Sequence, residues 1–146
     1  TPSQFSSAYV VRIGNDLTVL TGGVINSTIC VMSAIDNGNS YFVDTTITGI
    51  SHTFHNVPEP YLVTITKHDY IPYLKDPDNI YIQNESIYSD RYIYGKYFYA
   101  GENVTPSKPQ GSVIIKNGSS VVFEATNDVN LEGGFEVELG GEFEVK

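Results

Sequence analysis

From Val129 to Val145 the chain reads VNLEGGFEVELGGEFEV. Apolar residues and glycine alternate with polar residues and glycine, and two Gly-Gly pairs leave the phase intact. Alternation with a period of two marks β-strands with one face covered and one wet. A longer rhythm lies above it. Val113, Val121, Val129, Val137 and Val145 stand eight apart, with turn chemistry at Asn117-Gly118, Thr126-Asn127-Asp128, Gly133-Gly134 and Gly140-Gly141. This predicts a tandem array of short strands that bury one narrow core by stacking. The spacing fits an antiparallel meander and a solenoid-like stack equally well. Parity predicts that Phe135, Val137, Leu139, Phe143 and Val145 face the core. It places Glu136, Glu138, Glu142 and Glu144 in water. Stacking at a period of eight would also align Asp128, Glu136 and Glu144 as a carboxylate ladder, raising some of their pKa values.

The first part has a different texture. Short runs rich in Val, Ile, Thr and Tyr are AYVVRI, LTVLTG, STICVMSAI, SYFVDTTIT, SHTFHNV, YLVTITKHDY and NIYIQNESI. Between them lie turns such as DNGN, VPEP and KDPD, and no convincing helical period occurs. Seven strands at this spacing predict an immunoglobulin-like β-sandwich. The expected organisation is therefore all-β, with a sandwich over 1–84 and a second module over 85–146. That module combines the Tyr-rich segment YSDRYIYGKYFYAGEN, a connector VTPSKPQGS and the eight-residue array.

Charge narrows the partners. The net charge of −9 argues against nucleic acid and anionic membranes. No apolar run is long enough to span a bilayer, so no transmembrane segment is expected. The single cysteine excludes an internal disulfide. A start at Thr1, without Met or a signal peptide, suggests a mature fragment of something longer.

PYLVTITKHDYIPY resembles the last strands of the immunoglobulin-like domain that follows the catalytic domain in gingipain-type (family C25) cysteine peptidases. YFYAGENV and the run from Gly111 to Val145 resemble the three-coathanger stack module of exported Bacteroidetes proteins. Gly134-Phe135-Glu136-Val137 and Gly141-Glu142-Phe143 carry that pattern, and Glu132-Gly133 departs from its common Lys-Pro. The resemblance implies a non-catalytic C-terminal accessory region of a secreted or surface-anchored protein, such as a C25-type peptidase. Its partners would be the upstream domains of the parent, and its place the cell surface or the exterior.

Candidate chemistry is sparse. Cys30, flanked by Ile29 and Val31, is expected to be a buried core residue, since free Cys packs as a small hydrophobe. His52 and His55 are three apart on a predicted strand and point to opposite faces. His68 stands at a strand end before Asp69. No catalytic residue, cofactor or metal site is assigned. Asp76, Asp78 and Asn79 lack the Gly and distal Glu of a calcium loop and suit a Pro-Asp turn. The remaining candidates are Tyr88, Tyr92, Tyr94, Tyr97 and Tyr99. They suit either a carbohydrate-stacking platform or a seam between the two modules. A glycan- or protein-binding adhesion module is thus the alternative function.

Overall fold

A computed structural model describes residues 1–38 and 40–146, and among them there are strands and turns but no helix. Among the described residues no helix is long and apolar enough to cross a membrane. The chain divides into two compact units, Thr1–Ser33 with Ser40–Asp76, and Ala34–Asn39 with Pro77–Lys146.

The first unit is the β-sandwich. Its short entering strand β1 (Ser3–Gln4) is followed by β2 (Tyr9–Ile13), β3 (Asp16–Leu20) and β4 (Ser27–Ser33). After β5 (Ile35–Asp36), which belongs to the second unit, come β6 (Phe42–Ile47), β7 (Ser51–Phe54), β8 (Tyr61–Thr66), β9 (Tyr70–Ile71) and β10 (Tyr73–Lys75). One sheet has the order β2-β3-β7 and the other β10-β8-β4-β6, all antiparallel. Alternation explains the core. Leu17, Val19 and Phe54 from one sheet meet Ile29, Val31, Val63 and Ile65 from the other, and all are buried. The closing strand is Tyr73–Lys75, inside a stretch that the sequence pattern left without a strand of its own.

The second unit starts earlier than residue 85. Strands β11 (Asn79–Ile82) and β12 (Glu85–Ile87) lie in it, where the sequence pattern had joined 79–84 to the sandwich. Then come β13 (Arg91–Ala100), β14 (Val113–Ile115), β15 (Ser120–Leu131), β16 (Phe135–Val137) and β17 (Glu142–Val145). These strands pair in parallel, as β11-β13-β15-β17 and β12-β14-β16, while β5 adds antiparallel to β13. Of the meander and the solenoid-like stack that the spacing leaves open, the structure has the solenoid-like stack.

A register shift between Gly95 and Tyr97 splits β13 and its partner β15 into two segments each. β17 pairs only with the first segment of β15, and β11 only with the second segment of β13. Each coil of the chain thus has three sides. Val113 stacks on Phe135 and Ser120 on Glu142, 22 residues on in each case. A third of that coil is a little over seven residues, so the eight-residue rhythm carries the chain from one side to the next without returning to the same rung. Val113, Val121 and Val129 stand on three successive sides, and only Val137 returns to the side of Val113.

This geometry removes the expected carboxylate ladder. Residues eight apart sit on neighbouring sides, and the stacked partners of Asp128, Glu136 and Glu144 are Tyr97, Ile114 and Val122. The three sides share one core of Ile80, Ile82, Ile87, Ile93, Phe98, Ala100, Val113, Ile115, Val121 and Phe123. Phe135 and Phe143 pack against it from the last coil. Leu139 does not: it is 97% exposed, because it falls in the turn between β16 and β17 where alternation no longer holds.

One corner carries an excursion. Gly111 N–H donates to the Glu102 carbonyl at 3.0 Å and closes a neck, from which residues 103–110 project. The connector-like VTPSKPQGS is therefore part of a corner of the stack. The ladder runs through the neck, since Asn84 N–H reaches Gly111 O at 2.9 Å and Glu102 N–H reaches Gly133 O at 2.8 Å. Removing those eight residues from the 30 that separate Arg91 from its partner Val121 restores the 22-residue coil.

Candidate functional site

The five tyrosines separate into three places. Tyr92 and Tyr94 stand on the first segment of β13, alternating with buried Ile93 and Gly95, so both rings point away from the core. Their centroids are 4.8 Å apart. The Tyr92 hydroxyl donates to Glu124 Oε1 at 3.1 Å, and Lys146 Nζ lies 5.6 Å from the Tyr92 ring centroid. Desolvation comes first in raising the Tyr92 pKa, followed by the hydrogen bond and charge of Glu124. Tyr94 is raised too, by desolvation and then by Tyr92 and Glu124. Both phenols thus remain protonated donors in an acidic setting.

Tyr97 and Tyr99 stand on the next side, alternating with buried Phe98 and Ala100. The stacking register places Tyr81, Tyr99 and Asn130 in one outward row and Asn79, Tyr97 and Asp128 in another. Tyr81 and Tyr99 are stacked, with centroids 5.3 Å apart and planes at 19°. Asn127 Nδ2 donates to the Tyr97 hydroxyl at 3.2 Å. Tyr81 stands outside the five tyrosines of the sequence pattern because that pattern places its strand in the sandwich. The alternation Ile80-Tyr81-Ile82, matching Phe98-Tyr99-Ala100, was the signal that could have found it. Tyr88 lies apart, in the turn before β13, 75% exposed, with Lys116 Nζ 5.8 Å from its ring centroid.

The rings therefore form one cross-strand pair, Tyr81 with Tyr99, on one side of the coil, and one pair along a single strand, Tyr92 with Tyr94, on another. In the Tyr81–Tyr99 pair each ring covers a face of the other, which stabilises adjacent strands. Edges and hydroxyls are what such a row offers outward. Beside Tyr92, a shallow cavity of about 350 Å³ opens between Asp36, Asp90, Arg91 and Ser120. Arg91 is committed there to Glu85 at 2.6 Å, and Asp90 Oδ1 accepts the Ser120 N–H at 2.9 Å.

Cys30 is not a core residue. On β4, Ser27, Ile29, Val31 and Ser33 are buried, whereas Thr28, Cys30 and Met32 take the opposite face and are only half-buried. Apolar neighbours in a strand point the other way, so they carry no weight for burial of the residue between them. Burial raises the thiol pKa, the Asp44 charge adds to this, and a hydrogen bond with Thr64 opposes it. The histidines have local partners: His55 Nδ1 lies 3.2 Å from Asp16 Oδ1, His68 Nε2 lies 3.4 Å from Asp69 Oδ2, and His52 packs edge-on to Phe54 at 4.8 Å. Asp78 pairs with Lys96 at 3.2 Å. Among the described residues, no three or more His, Cys, Asp or Glu gather in a group that would hold a metal ion.

Compared with known proteins, the chain matches no family model, no curated protein and no solved structure.

Proposed function

We propose that the chain is a non-catalytic accessory region of a secreted or surface-anchored bacterial protein, whose role is to pack against, present or anchor other parts of it. A gingipain-type cysteine peptidase is the parent that the sequence resemblance suggests. The observation that carries the reading is the parallel three-sided stack. Its inward positions are spent on holding successive coils together. Its outward tyrosines Tyr81, Tyr92, Tyr97 and Tyr99 are engaged with their neighbours. Such a unit is a self-supporting spacer, suited to presenting what is attached to it. The deciding experiment assays the purified chain and its Cys30→Ser variant against a broad peptide panel. The expected result is no hydrolysis by either. Hydrolysis lost in Cys30→Ser overturns the reading.

A second reading, as a module that binds glycan or protein, is favoured by the side bearing Tyr81, Tyr97 and Tyr99. Tyr81 and Tyr97 are each 38% exposed and lie beside Asn79, Asp128 and Asn130. Rings next to amides and a carboxylate suit sugar hydroxyls and apolar ring faces. Retention on immobilised neutral glycans that is lost in Tyr97→Ala would establish it.

A further inference from the structure

Among the described residues, the coil formed by β16 and β17 is uncovered on one side. β16 ends the order of one sheet and β17 that of the other, so among the described residues each is paired on one side alone. In the coil before, Val113, Ile115, Val121 and Phe123 are all 0% exposed. In the last coil, Leu131 is 47%, Val137 37% and Val145 47% exposed. Phe135 and Phe143, 4.9 Å apart, lie at this end of the core. A shallow groove of about 390 Å³ opens here between Asp128, Val129, Leu131 and Val145. An edge strand beside exposed apolar side chains is a template for strand addition.

Charge says what fits. Between Thr126 and Lys146 stand Asp128, Glu132, Glu136, Glu138, Glu142 and Glu144, with Lys146 the one cationic residue. Lys146 lies over the Tyr92 ring, and among the described residues Glu138 alone of the six acids has a lysine partner, Lys116 at 3.1 Å. On β17 the apolar Phe143 and Val145 alternate with the exposed acids Glu142 and Glu144. Two copies meeting through this edge would set acid against acid, which disfavours self-pairing.

We propose that the β17 edge is the docking site for an extended segment of a partner protein in which apolar residues alternate with Lys or Arg. Its backbone continues the ladder beyond β17. Its apolar side chains close the core over Phe143 and Val145. Its cations lie beside Glu142 and Glu144. Such a contact is specific in pattern as well as in charge, and it weakens with ionic strength.

The test uses the whole chain and three labelled peptides: alternating Val and Lys, the same composition with the lysines in one block, and alternating Val and Glu. Fluorescence anisotropy should show the alternating Val-Lys peptide binding at least about tenfold more tightly than the blocked one, a difference well above measurement error. The Val-Glu peptide should not bind. Glu142→Lys combined with Glu144→Lys should abolish the preference. Hydrogen exchange on the unmodified chain should show new protection at residues 142–145 when the Val-Lys peptide is bound, a readout independent of any variant's folding. Equal binding of the blocked peptide overturns the proposal by reducing it to bulk charge. Protection elsewhere, no binding, or concentration-dependent dimers that protect 142–145 without peptide overturn it as well.

Discussion

Gln83 clasps the backbone of Thr105 at both ends: its Oε1 accepts the Thr105 N–H at 2.9 Å, and its Nε2 donates to the Thr105 carbonyl at 3.1 Å. The same amide accepts from Val104 N–H at 2.5 Å and donates to Lys108 O at 2.8 Å and Pro109 O at 3.0 Å. Gln83 is 3% exposed, so one buried side chain supplies the missing partners of the excursion 103–110. Gln83→Ala should cost about 2 kcal/mol, the order expected when buried backbone groups lose their partners. Gln83→Glu should be no better, because a carboxylate cannot donate to three carbonyls. Urea denaturation measures the loss, and faster proteolysis within 103–110 locates it.

The core of the stack should be sensitive where Phe123 sits and insensitive at Leu139. Phe123 is 0% exposed, stacked on Phe98 at 4.6 Å and edge-on to Phe143 at 4.8 Å. Phe123→Ala should cost about 4 kcal/mol through lost burial and a residual cavity. Leu139→Ala, at a 97% exposed turn position, should change the melting temperature little. Thermal melts of the two variants make the comparison.

Acid should weaken one corner of the last coil. Glu138 Oε2 accepts the Asn117 N–H at 3.0 Å and Oε1 binds Lys116 Nζ at 3.1 Å. These hold the Glu138 pKa below its ordinary value, the backbone hydrogen bond acting most strongly. A depressed folded pKa gives stability that is present above the unfolded value, about 4.3, and is lost as pH falls through the folded one. This is the reverse of what a repelling ladder would do. Glu138→Gln should flatten the acid limb of a stability-against-pH curve. An unchanged limb would show that the two contacts do not stabilise the fold.

The thiol of Cys30 should react slowly in the folded chain at neutral pH. Its raised pKa leaves little thiolate, and thiolate is the nucleophile. Labelling should accelerate on denaturation and rise with pH. Fast native labelling at neutral pH, equal to that of the unfolded chain, would contradict this.

The strands of both units were legible in the sequence because alternation is a local property. AYVVRI, LTVLTG and STICVMSAI all contain strands of the sandwich. What alternation leaves open is which strand lies beside which. Val121 and Val129 look like successive rungs along the chain but occupy adjacent sides of one coil, because the partner of Val121 toward the C-terminus is Phe143, 22 residues on. The corner at Gly95 carries this information only in three dimensions: a Cβ there would come within 2.6 Å of Ile80 Cγ1. The tyrosines were visible as a cluster for the same reason that they do not form one. They are close in sequence, and the bend after Gly95 turns Tyr97 and Tyr99 away from Tyr92 and Tyr94.

The closed neck between Glu102 and Gly111 has a consequence for how such a chain can diversify. The equivalent corners of the neighbouring coils span only residues 83–84 and 132–134, yet the ladder passes all three without a break. A segment grafted at this point adds length to the polypeptide without lengthening the coil, and it meets the interior at the buried amide of Gln83. A library placed at residues 103–110 can therefore try new sequence while every coil keeps its neighbours, provided that the new segment still satisfies the Gln83 amide.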